Sequence, residues 1–335
     1  MVLQPRTAVP CGVAAQRTAP RDLAVFADRF EAVVANVETA IQGKDDAIRL
    51  ALVCLLAEGH LLIEDVPGVG KTTLAKALAA SFELTCHRIQ FTPDLLPSDV
   101  TGVFVYNRAK GTFDFRPGGI FANIALGDEI NRASPKTQSA TLEAMEERQV
   151  TVDATTYRLS SPFMVIATQN PVEHEGTYPL PESQLDRFLM RIDMGYPDRD
   201  AEIAMLDVHL GGSVIDTLGP VASANDVTAM IGLAREVHIA PVLRGYLVDL
   251  AQATRRHPSV TLGVSPRATL ALLRAARTSA ASIGREYVIP DDLKALAVPV
   301  LGHRLVLSPE AEMGGASAEQ VLEDVLRSVP VPSAR

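Results

Sequence analysis

The sequence predicts an α/β fold, in which a parallel sheet lies between helices and a smaller all-α domain follows it. The first observation is that short apolar runs alternate with helical patterns along the N-terminal part of the 335-residue chain. This alternation is typical of parallel strands joined by crossover helices. The second observation is that helical stretches separated by short breaks make up the sequence beyond Pro197. We therefore place a domain boundary at that proline.

Short apolar runs predict buried strands at residues 60–64, 87–91, 123–126, 163–168 and 190–194. Helical patterns begin near Leu23 and continue at residues 48–57 and 72–82. In the second domain, helices are predicted at residues 201–210, 226–238, 242–256, 266–279 and 291–298. The predicted division is a disordered tail at 1–22, an α/β domain at 23–197, a helical domain at 198–310, and a C-terminal segment at 311–335 that is helical and then disordered.

Two interruptions of the α/β pattern predict inserted hairpins. Residues 103–106 and 112–116 flank a turn at 107–111, and residues 150–152 and 157–159 flank a turn at 153–156. Aromatic residues alternate along the first hairpin and suit either an exposed face or the core: Phe104, Tyr106, Phe113 and Phe115.

Composition restricts the classes of function. Hydrophobic residues make up 47% of the chain and charged residues 21%, which is an ordinary globular mixture. The net charge of −9 argues against broad attraction to nucleic acid or anionic membranes. The three cysteines are widely spaced and predict reduced thiols in a cytoplasmic protein. No stretch approaches the roughly 18 uninterrupted apolar residues of a membrane span.

A phosphate-binding loop is predicted where the first strand ends. The pattern Gly-x-Gly-Lys-Thr at residues 68–72 follows an apolar strand and opens a helix, which is the context of a P-loop that binds ATP with Mg²⁺. The candidate nucleotide-binding residues of the loop are Asp65, Pro67, Gly68, Val69, Gly70, Lys71, Thr72 and Thr73. Lys71 would contact the β- and γ-phosphates and Thr72 the magnesium ion. The alternative is a glycine turn that caps an ordinary helix.

Asp65 replaces the usual first glycine of the P-loop pattern. A carboxylate there would crowd the phosphates if its side chain turned inward, so we expect it to influence nucleotide affinity.

Two acidic residues end the apolar strand at residues 123–126. Because side chains alternate along a strand, the carboxylates of Asp128 and Glu129 leave in different directions. Asp128 suits the magnesium side, and Glu129 suits a base that orients the attacking water. The alternative is a strand end with two solvated acids.

Long segments of the chain resemble the MoxR family of AAA+ ATPases. They lie at residues 59–72, 91–99, 128–133, 167–171 and 185–188, within a resemblance that covers residues 32–307. The resemblance implies an α/β nucleotide domain followed by a helical lid, and rings, typically hexamers, with ATP at subunit interfaces. The two hairpins then correspond to the helix-2 insert and the pre-sensor hairpin. Family members act as chaperone-like remodelling ATPases, often with partners that carry a von Willebrand factor A domain.

The resemblance also implies roles for residues outside the loop. Asn170 resembles the first sensor, which holds the attacking water; the alternative is an Asx turn with Pro171. Arg187 resembles the arginine finger inserted into the neighbouring subunit's site, with Arg191 as a substitute. The alternative for Arg187 is an ion pair with Asp186 or Glu182.

Two further contacts with nucleotide are implied. Arg267 follows a helix start at Ser265 and Pro266 and resembles the second sensor, which contacts the γ-phosphate and couples the lid angle to the nucleotide state. Gly43 lies where this family contacts adenine, although a plain turn between helices explains that segment equally well. The predicted catalytic residues are Lys71, Glu129, Asn170 and Arg187.

Three functions compete. The first is an ATP-driven machine that remodels protein clients, indicated by the ATPase motifs and the added hairpins. The second is a nucleic-acid motor or loader, against which the negative charge counts. The third is a regulator that binds ATP without hydrolysing it, against which the presence of Glu129, Asn170 and Arg187 counts.

Overall fold

The computed structural model describes residues 20–170, 177–197, 199–203 and 214–332. Most of the predicted tail and most of the helix predicted at 201–210 lie outside the described residues. Residues 20–22, however, are helical, so the prediction of a tail reaching residue 22 is wrong at its end. The helix begins at Pro20 because proline suits the first helical turn, where Asp22 adds a favourable negative charge.

The described elements up to Ile192 are, in chain order, α1 (Pro20–Glu38), α2 (Asp45–Leu56), β1 (Leu61–Glu64), α3 (Lys71–Ser81), β2 (Cys86–Gln90), α4 (Pro97–Thr101), β3 (Val103–Asn107), β4 (Thr112–Arg116), β5 (Ile124–Asp128), α5 (Pro135–Glu147), β6 (Gln149–Val152), β7 (Thr155–Arg158), β8 (Met164–Gln169), α6 (Glu182–Leu185) and β9 (Met190–Ile192). A 3₁₀ turn at Ile130–Arg132 joins β5 to α5.

The remaining described elements are α7 (Ala224–Glu236), α8 (Pro241–Arg256), β10 (Val260–Leu262), α9 (Pro266–Ser282), α10 (Pro290–Ala295), α11 (Ala297–Leu301), β11 (Val306–Leu307), α12 (Pro309–Met313) and α13 (Ala318–Ser328). Side-chain oxygens of Ser223 and Ser265 cap α7 and α9, which explains why these helices begin where they do.

A five-stranded parallel sheet forms the centre of the α/β domain, with strand order β2-β5-β8-β1-β9. The inner strands β1, β5 and β8 are almost wholly buried, as expected for a parallel sheet covered by helices on both faces. The predicted fold class is confirmed. Parallel strands bring their carboxyl ends to one edge, so the segments after β1, β5 and β8 meet there.

Both predicted hairpins form. β3 pairs with β4 and β6 pairs with β7, each antiparallel. Thr155 and Thr156, predicted as turn residues, belong instead to β7, because β-branched residues favour an extended backbone. The second hairpin therefore turns at Asp153 and Ala154.

The helical part packs against the outer helices of the α/β domain. One hydrophobic cluster runs from α1 and α2 into α7, α8 and α9, with Phe26, Leu52 and Leu272 among its buried members. The short antiparallel pair β10–β11 was not predicted, since strands of three and two residues leave little periodicity in the sequence.

Candidate active site

The loop between β1 and α3 has the backbone of a phosphate cradle. Gly68 and Gly70 have φ of +89° and +95°, a conformation that glycine adopts without strain. α3 begins at Lys71, and no side chain of the described residues caps its N-terminus. The first-turn N–H groups of α3 and the helix dipole therefore face the loop, as an anion site requires.

A cavity of about 370 Å³ opens over this loop at the carboxyl edge of the sheet. It is lined by Pro67, Gly68, Gly70, Lys71, Thr72, Thr73, Arg88, Asp128, Glu129, Thr168 and Asn170. The structure thus brings together predicted residues from three separate strand ends, those of β1, β5 and β8. Among the predicted loop residues, Asp65 and Val69 are not in this lining; both are buried.

Neighbouring strands hold the two candidate carboxylates. Thr168 on β8 donates its hydroxyl to Asp128 Oδ1 at 2.6 Å and accepts the Glu129 N–H at 2.9 Å. Arg88 on β2 contacts Asp128 Oδ2 at 2.6 Å. Glu129 Oε2 accepts hydrogen bonds from Gln90 at 3.0 Å and from Arg132 at 3.1 Å.

Sequence reasoning did not identify Arg88, Gln90, Thr168 or Arg132 as site residues. Arg88, Gln90 and Thr168 reach the acidic pair only because β2 and β8 flank β5, with Gln90 directly opposite Asp128. Arg132 reaches Glu129 from the 3₁₀ turn, three residues later in the chain. The available signal was the polar spacing of Arg88 and Gln90, two residues apart on one face of a strand that ends at the same sheet edge.

Lys71 is buried at the bottom of the cavity, and its Nζ donates to the main-chain oxygen of Asp65 at 2.6 Å. Burial lowers the pKa of this ammonium group, and the nearby carboxylates of Asp65, Asp128 and Glu129 partly restore it. The surrounding acids thus favour a charged lysine, as a phosphate contact requires.

The Asp65 carboxylate does not turn inward toward the cavity, which is the orientation in which it would crowd the phosphates. Its Oδ2 accepts the N–H groups of Met194 and Gly195 at 2.7 and 2.6 Å, and its Oδ1 accepts that of Val66. The carboxylate turns away from the cavity because these backbone donors lie just beyond β9. The Asp65 side chain therefore binds the protein and does not line the nucleotide site.

Gly43 lies behind the loop rather than in the cavity lining. Its φ is +69°, and a β-carbon added to it would approach Ala201 Cβ to 2.7 Å, so glycine is required for close packing. The neighbouring Ile41 lies 3.9 Å from the position of a β-carbon on Gly70. The segment is adjacent to the loop, and its contact with adenine stays a prediction.

Arg187 and Arg267 lie together, away from this cavity. Arg187 Nε and Arg267 Nη1 contact the two carboxylate oxygens of Glu146 at 3.2 and 3.0 Å. They line a second cavity of about 120 Å³ with further arginines and with Gly59 and His60, which precede β1. The P-loop follows β1, so the four-residue strand separates the cavities by roughly 13 Å.

The contact of Arg267 with nucleotide stays a prediction, and in this arrangement Arg267 does not line the cavity over the phosphate loop of its own subunit. The physical reason is the docking of α9, whose buried face packs on α1 and α2 and places its N-terminus at the amino edge of the sheet. Arg191, the substitute finger, is engaged elsewhere, with Glu64 at 3.0 Å and Glu319 at 3.7 Å.

The donors of the first cavity fit ATP with Mg²⁺. Mg²⁺ is usually held by one or two carboxylates together with substrate phosphates and water. Asp128 and the Thr72 hydroxyl supply such a partial set, and no cluster of three or more His, Cys, Asp or Glu side chains suited to a metal occurs within the described ranges. The cradle of glycines, Lys71 and a helix N-terminus suits the phosphates.

The sheet order, the P-loop after the inner strand β1, the paired acids at the end of β5 and the helical lid together define an AAA+ ATPase. Residues 60–190 match the ATPase family associated with various cellular activities, and residues 252–325 match the AAA lid domain. The chain belongs to the MoxR family within this class, as its relatives show.

Similar proteins cover nearly the whole chain. The uncharacterized protein YeaC of Bacillus subtilis (strain 168) is 51% identical over 90% of this chain and 94% of its own length. Chaperone MoxR1 of Mycobacterium tuberculosis is 40% identical over 92% of this chain and 84% of its own. The crystal structure of a candidate ATPase from Cytophaga hutchinsonii superposes with a TM-score of 0.88 at 39% identity, covering 93% of this chain and 98% of that one.

Within the part of the chain that the structure describes, no helix is both long enough and apolar enough to cross a lipid bilayer.

Proposed function

We propose that this chain binds ATP with Mg²⁺ in the cavity over the P-loop and hydrolyses it to ADP and phosphate. The observation that carries the proposal is the convergence of Lys71 and Thr72 with Asp128 and Glu129 on one cavity, from two segments of the chain that are more than 50 residues apart. Their meeting at the edge of the sheet favours a shared chemical task.

Each residue then has a distinct task. The loop N–H groups and Lys71 bind the phosphates, while Thr72 and Asp128 hold the magnesium ion, which when bound offsets phosphate charge. Glu129 orients the attacking water and accepts its proton. Asn170, which lines the same cavity, positions that water.

We infer that the site is completed by a second subunit. Arg187 and Arg267 lie at the opposite edge of the sheet from their own phosphate loop, and Glu146 holds them side by side. A head-to-tail ring would bring this edge to the neighbour's cavity, where guanidinium groups would stabilise charge on the transferred phosphoryl group. A hexamer is the ring size that the family resemblance favours.

The biological task proposed is chaperone-like remodelling of protein complexes. The name of the Mycobacterium relative supports it. So do Tyr106 and Phe113, which form an exposed aromatic pair on the first hairpin. A partner with a von Willebrand factor A domain rests on the family resemblance alone. Action on nucleic acid is the weaker candidate because the net charge is −9.

The proposed nucleotide domain extends to residue 197 and begins at residue 20, where α1 begins, rather than at 23. The helical domain is proposed at 198–310 and the C-terminal segment at 311–335, although the match to the AAA lid domain continues to residue 325. A cytoplasmic location is proposed from the free thiols of Cys54 and Cys86.

Calorimetry and phosphate release, measured on the same preparations, test the proposed reaction. Glu129→Gln keeps the shape of the side chain but removes the base, so ATP binding stays close to wild type while turnover falls about a hundredfold or more. Lys71→Ala loses a phosphate contact and weakens both binding and turnover.

Glu310→Gln, an exposed acid on α12, is the matched control and keeps wild-type turnover. Wild-type turnover by Glu129→Gln would remove Glu129 as the base. ATP binding without any phosphate release by the wild type would instead favour the non-hydrolysing regulator. Turnover that rises sharply with DNA at low salt would favour the nucleic-acid motor.

A further inference from the structure

Asp65 has a buried carboxylate that spans from the phosphate loop to the chain beyond β9. Only 8% of the residue is exposed. Its two oxygens accept three main-chain N–H groups: Val66 at 2.7 Å, Met194 at 2.7 Å and Gly195 at 2.6 Å. Hydrogen bonds to a carboxylate are shorter and stronger than those between neutral groups. The Asp65 side chain therefore binds the chain beyond β9 strongly.

The same residue also contacts the lysine of the loop. The main-chain oxygen of Asp65 accepts the Lys71 ammonium at 2.6 Å. Asp65 thus touches Lys71 with its backbone and the exit of β9 with its side chain. A glycine at this position, as in the usual P-loop pattern, would keep the first contact and lose the second.

Other contacts converge on the segment that Asp65 holds. The Met194 side chain reaches to 3.8 Å from the position of a β-carbon on Gly70. Lys44 donates to the main-chain oxygen of Tyr196 at 2.7 Å. Residues 194–196 lie directly before Pro197, where the chain leaves the nucleotide domain for the lid.

We propose that Asp65 is a positioning residue that links the phosphate loop to the lid-side chain at residues 194–196. The inference rests on the proposed binding of ATP at Lys71. A phosphate that attracts the Lys71 ammonium weakens its bond to the Asp65 carbonyl oxygen. The peptide at residue 65 then shifts, and the carboxylate carries that shift to the amides of Met194 and Gly195.

Amide hydrogen exchange of Met194 and Gly195, followed by mass spectrometry on overlapping peptides, measures this link directly. In the wild type we expect both amides to exchange slowly and their protection to change when Mg-ATP saturates the protein. In Asp65→Asn, an NH₂ group replaces one of the two carboxylate oxygens and faces at least one of the three N–H groups, and the remaining oxygen is a neutral and therefore weaker acceptor. We expect exchange at Met194 and Gly195 to accelerate about tenfold or more. Asp65→Gly gives the same result, and in both variants the response to Mg-ATP disappears.

Asp226→Asn is the matched control. Asp226 also accepts main-chain and hydroxyl donors, from Ser223 N at 2.9 Å and Ser223 Oγ at 2.8 Å, but far from the loop. Asp226→Asn should keep the change in amide exchange that Mg-ATP causes at residues 194–195. A variant that acted only by destabilising the whole protein would lose that change.

Two outcomes overturn the inference without touching the proposed function. One is a wild type that binds Mg-ATP by calorimetry with no change at 194–195. The other is an Asp65→Asn protein with wild-type protection and wild-type response. Absence of Mg-ATP binding by the wild type would overturn the proposed function itself, and the inference with it.

Discussion

Thr168 connects the side chain of Asp128 to the main chain of Glu129 at the candidate catalytic centre. It is almost completely buried, at 1% exposure, and bonds to Asp128 through its hydrogen and to Glu129 through its oxygen. Glu129 adopts φ of +58°, a left-handed conformation uncommon for residues other than glycine. The Thr168 bond to its N–H therefore holds Glu129 in a backbone conformation it would not adopt unaided.

Thr168→Val tests this connection, because valine has nearly the same shape and no hydroxyl. The Glu129 N–H then loses its acceptor, which costs about 1–3 kcal/mol for a buried donor. We expect turnover to fall about tenfold or more while ATP affinity changes less. Thr168→Ser keeps the hydroxyl and retains most activity in the same phosphate-release assay. Wild-type turnover by Thr168→Val would contradict the proposed positioning of Glu129.

His60 gives a residue-level prediction about pH. Burial lowers its pKa to about 4. Its Nδ1 accepts the Val165 N–H and its Nε2 faces the Met145 carbonyl oxygen, so a second ring proton has no acceptor. In the unfolded chain the pKa of a histidine is about 6.5. Protonation at low pH therefore favours the unfolded chain. The free energy of unfolding is unaffected above about pH 6.5 and decreases as the pH falls toward 4, by about 2 kcal/mol between pH 7 and 5.

The measurement is the thermal unfolding midpoint from pH 7.5 to 5. His60→Gln can keep one donor and one acceptor without titrating, so its midpoint should fall less steeply with decreasing pH. His87→Gln, an exposed histidine on β2, is the control and keeps the wild-type slope. Equal slopes for the wild type and His60→Gln would contradict the role given to His60.

The predictable residues were those whose chemistry is local in sequence. Lys71 and Thr72 follow the glycines that shape their loop, and Asp128 and Glu129 end one apolar run. Arg88 could not be assigned in this way, because its contact with Asp128 depends on β2 lying beside β5. The orientation of the Asp65 carboxylate could not be predicted either, because Met194 and Gly195, whose N–H groups it accepts, lie 129 and 130 residues away in the sequence.

At the scale of elements, the two inserted hairpins contact each other through aromatic rings. Phe115 on β4 stacks on Tyr157 on β7 with ring centroids 4.0 Å apart and an interplanar angle of 11°. Phe121 packs edge-on against both rings. The exposed pair of Tyr106 and Phe113 lies farther out on the first hairpin and belongs to that hairpin alone. The stacked rings therefore join two elements that are separate in sequence.

Tyr157→Ala should loosen both hairpins. The stacked pair is worth about 0.5–1.5 kcal/mol beyond its buried area, so we expect faster amide exchange in β3–β4 as well as in β6–β7. Tyr106→Ala, which removes an aromatic pair confined to one hairpin, should accelerate exchange in β3–β4 only. Unchanged exchange in β3–β4 of Tyr157→Ala would show that the stack does not join the hairpins.

The elements themselves were largely predictable, because buried strands are continuous apolar runs and helices keep their own period. Their arrangement was not. Nothing in the local pattern placed β8 between β5 and β1, or set α9 against α1 and α2. The sequence therefore did not show that Arg267 lies at the opposite edge of the sheet from the phosphate loop.

At the scale of the molecule, the sheet separates two charged cavities. The carboxyl edge carries the phosphate loop and the acids, and the amino edge carries Arg187 and Arg267. Burial lowers the pKa of Arg304, which lines the second cavity, to about 10, so this arginine stays charged at neutral pH. In the site that we propose, each subunit carries one half at each edge of its sheet, and a neighbouring subunit joins the halves.

Mixing of inactive variants tests this composite site most directly. Arg187→Ala subunits keep an intact phosphate cavity, and Lys71→Ala subunits keep intact arginines. Rings assembled from equal amounts should recover up to about one quarter of wild-type phosphate release, the share of interfaces that pair two intact halves. Arg267→Ala should likewise be rescued by Lys71→Ala and not by Arg187→Ala. No recovery in rings shown to contain both Arg187→Ala and Lys71→Ala subunits would contradict the account.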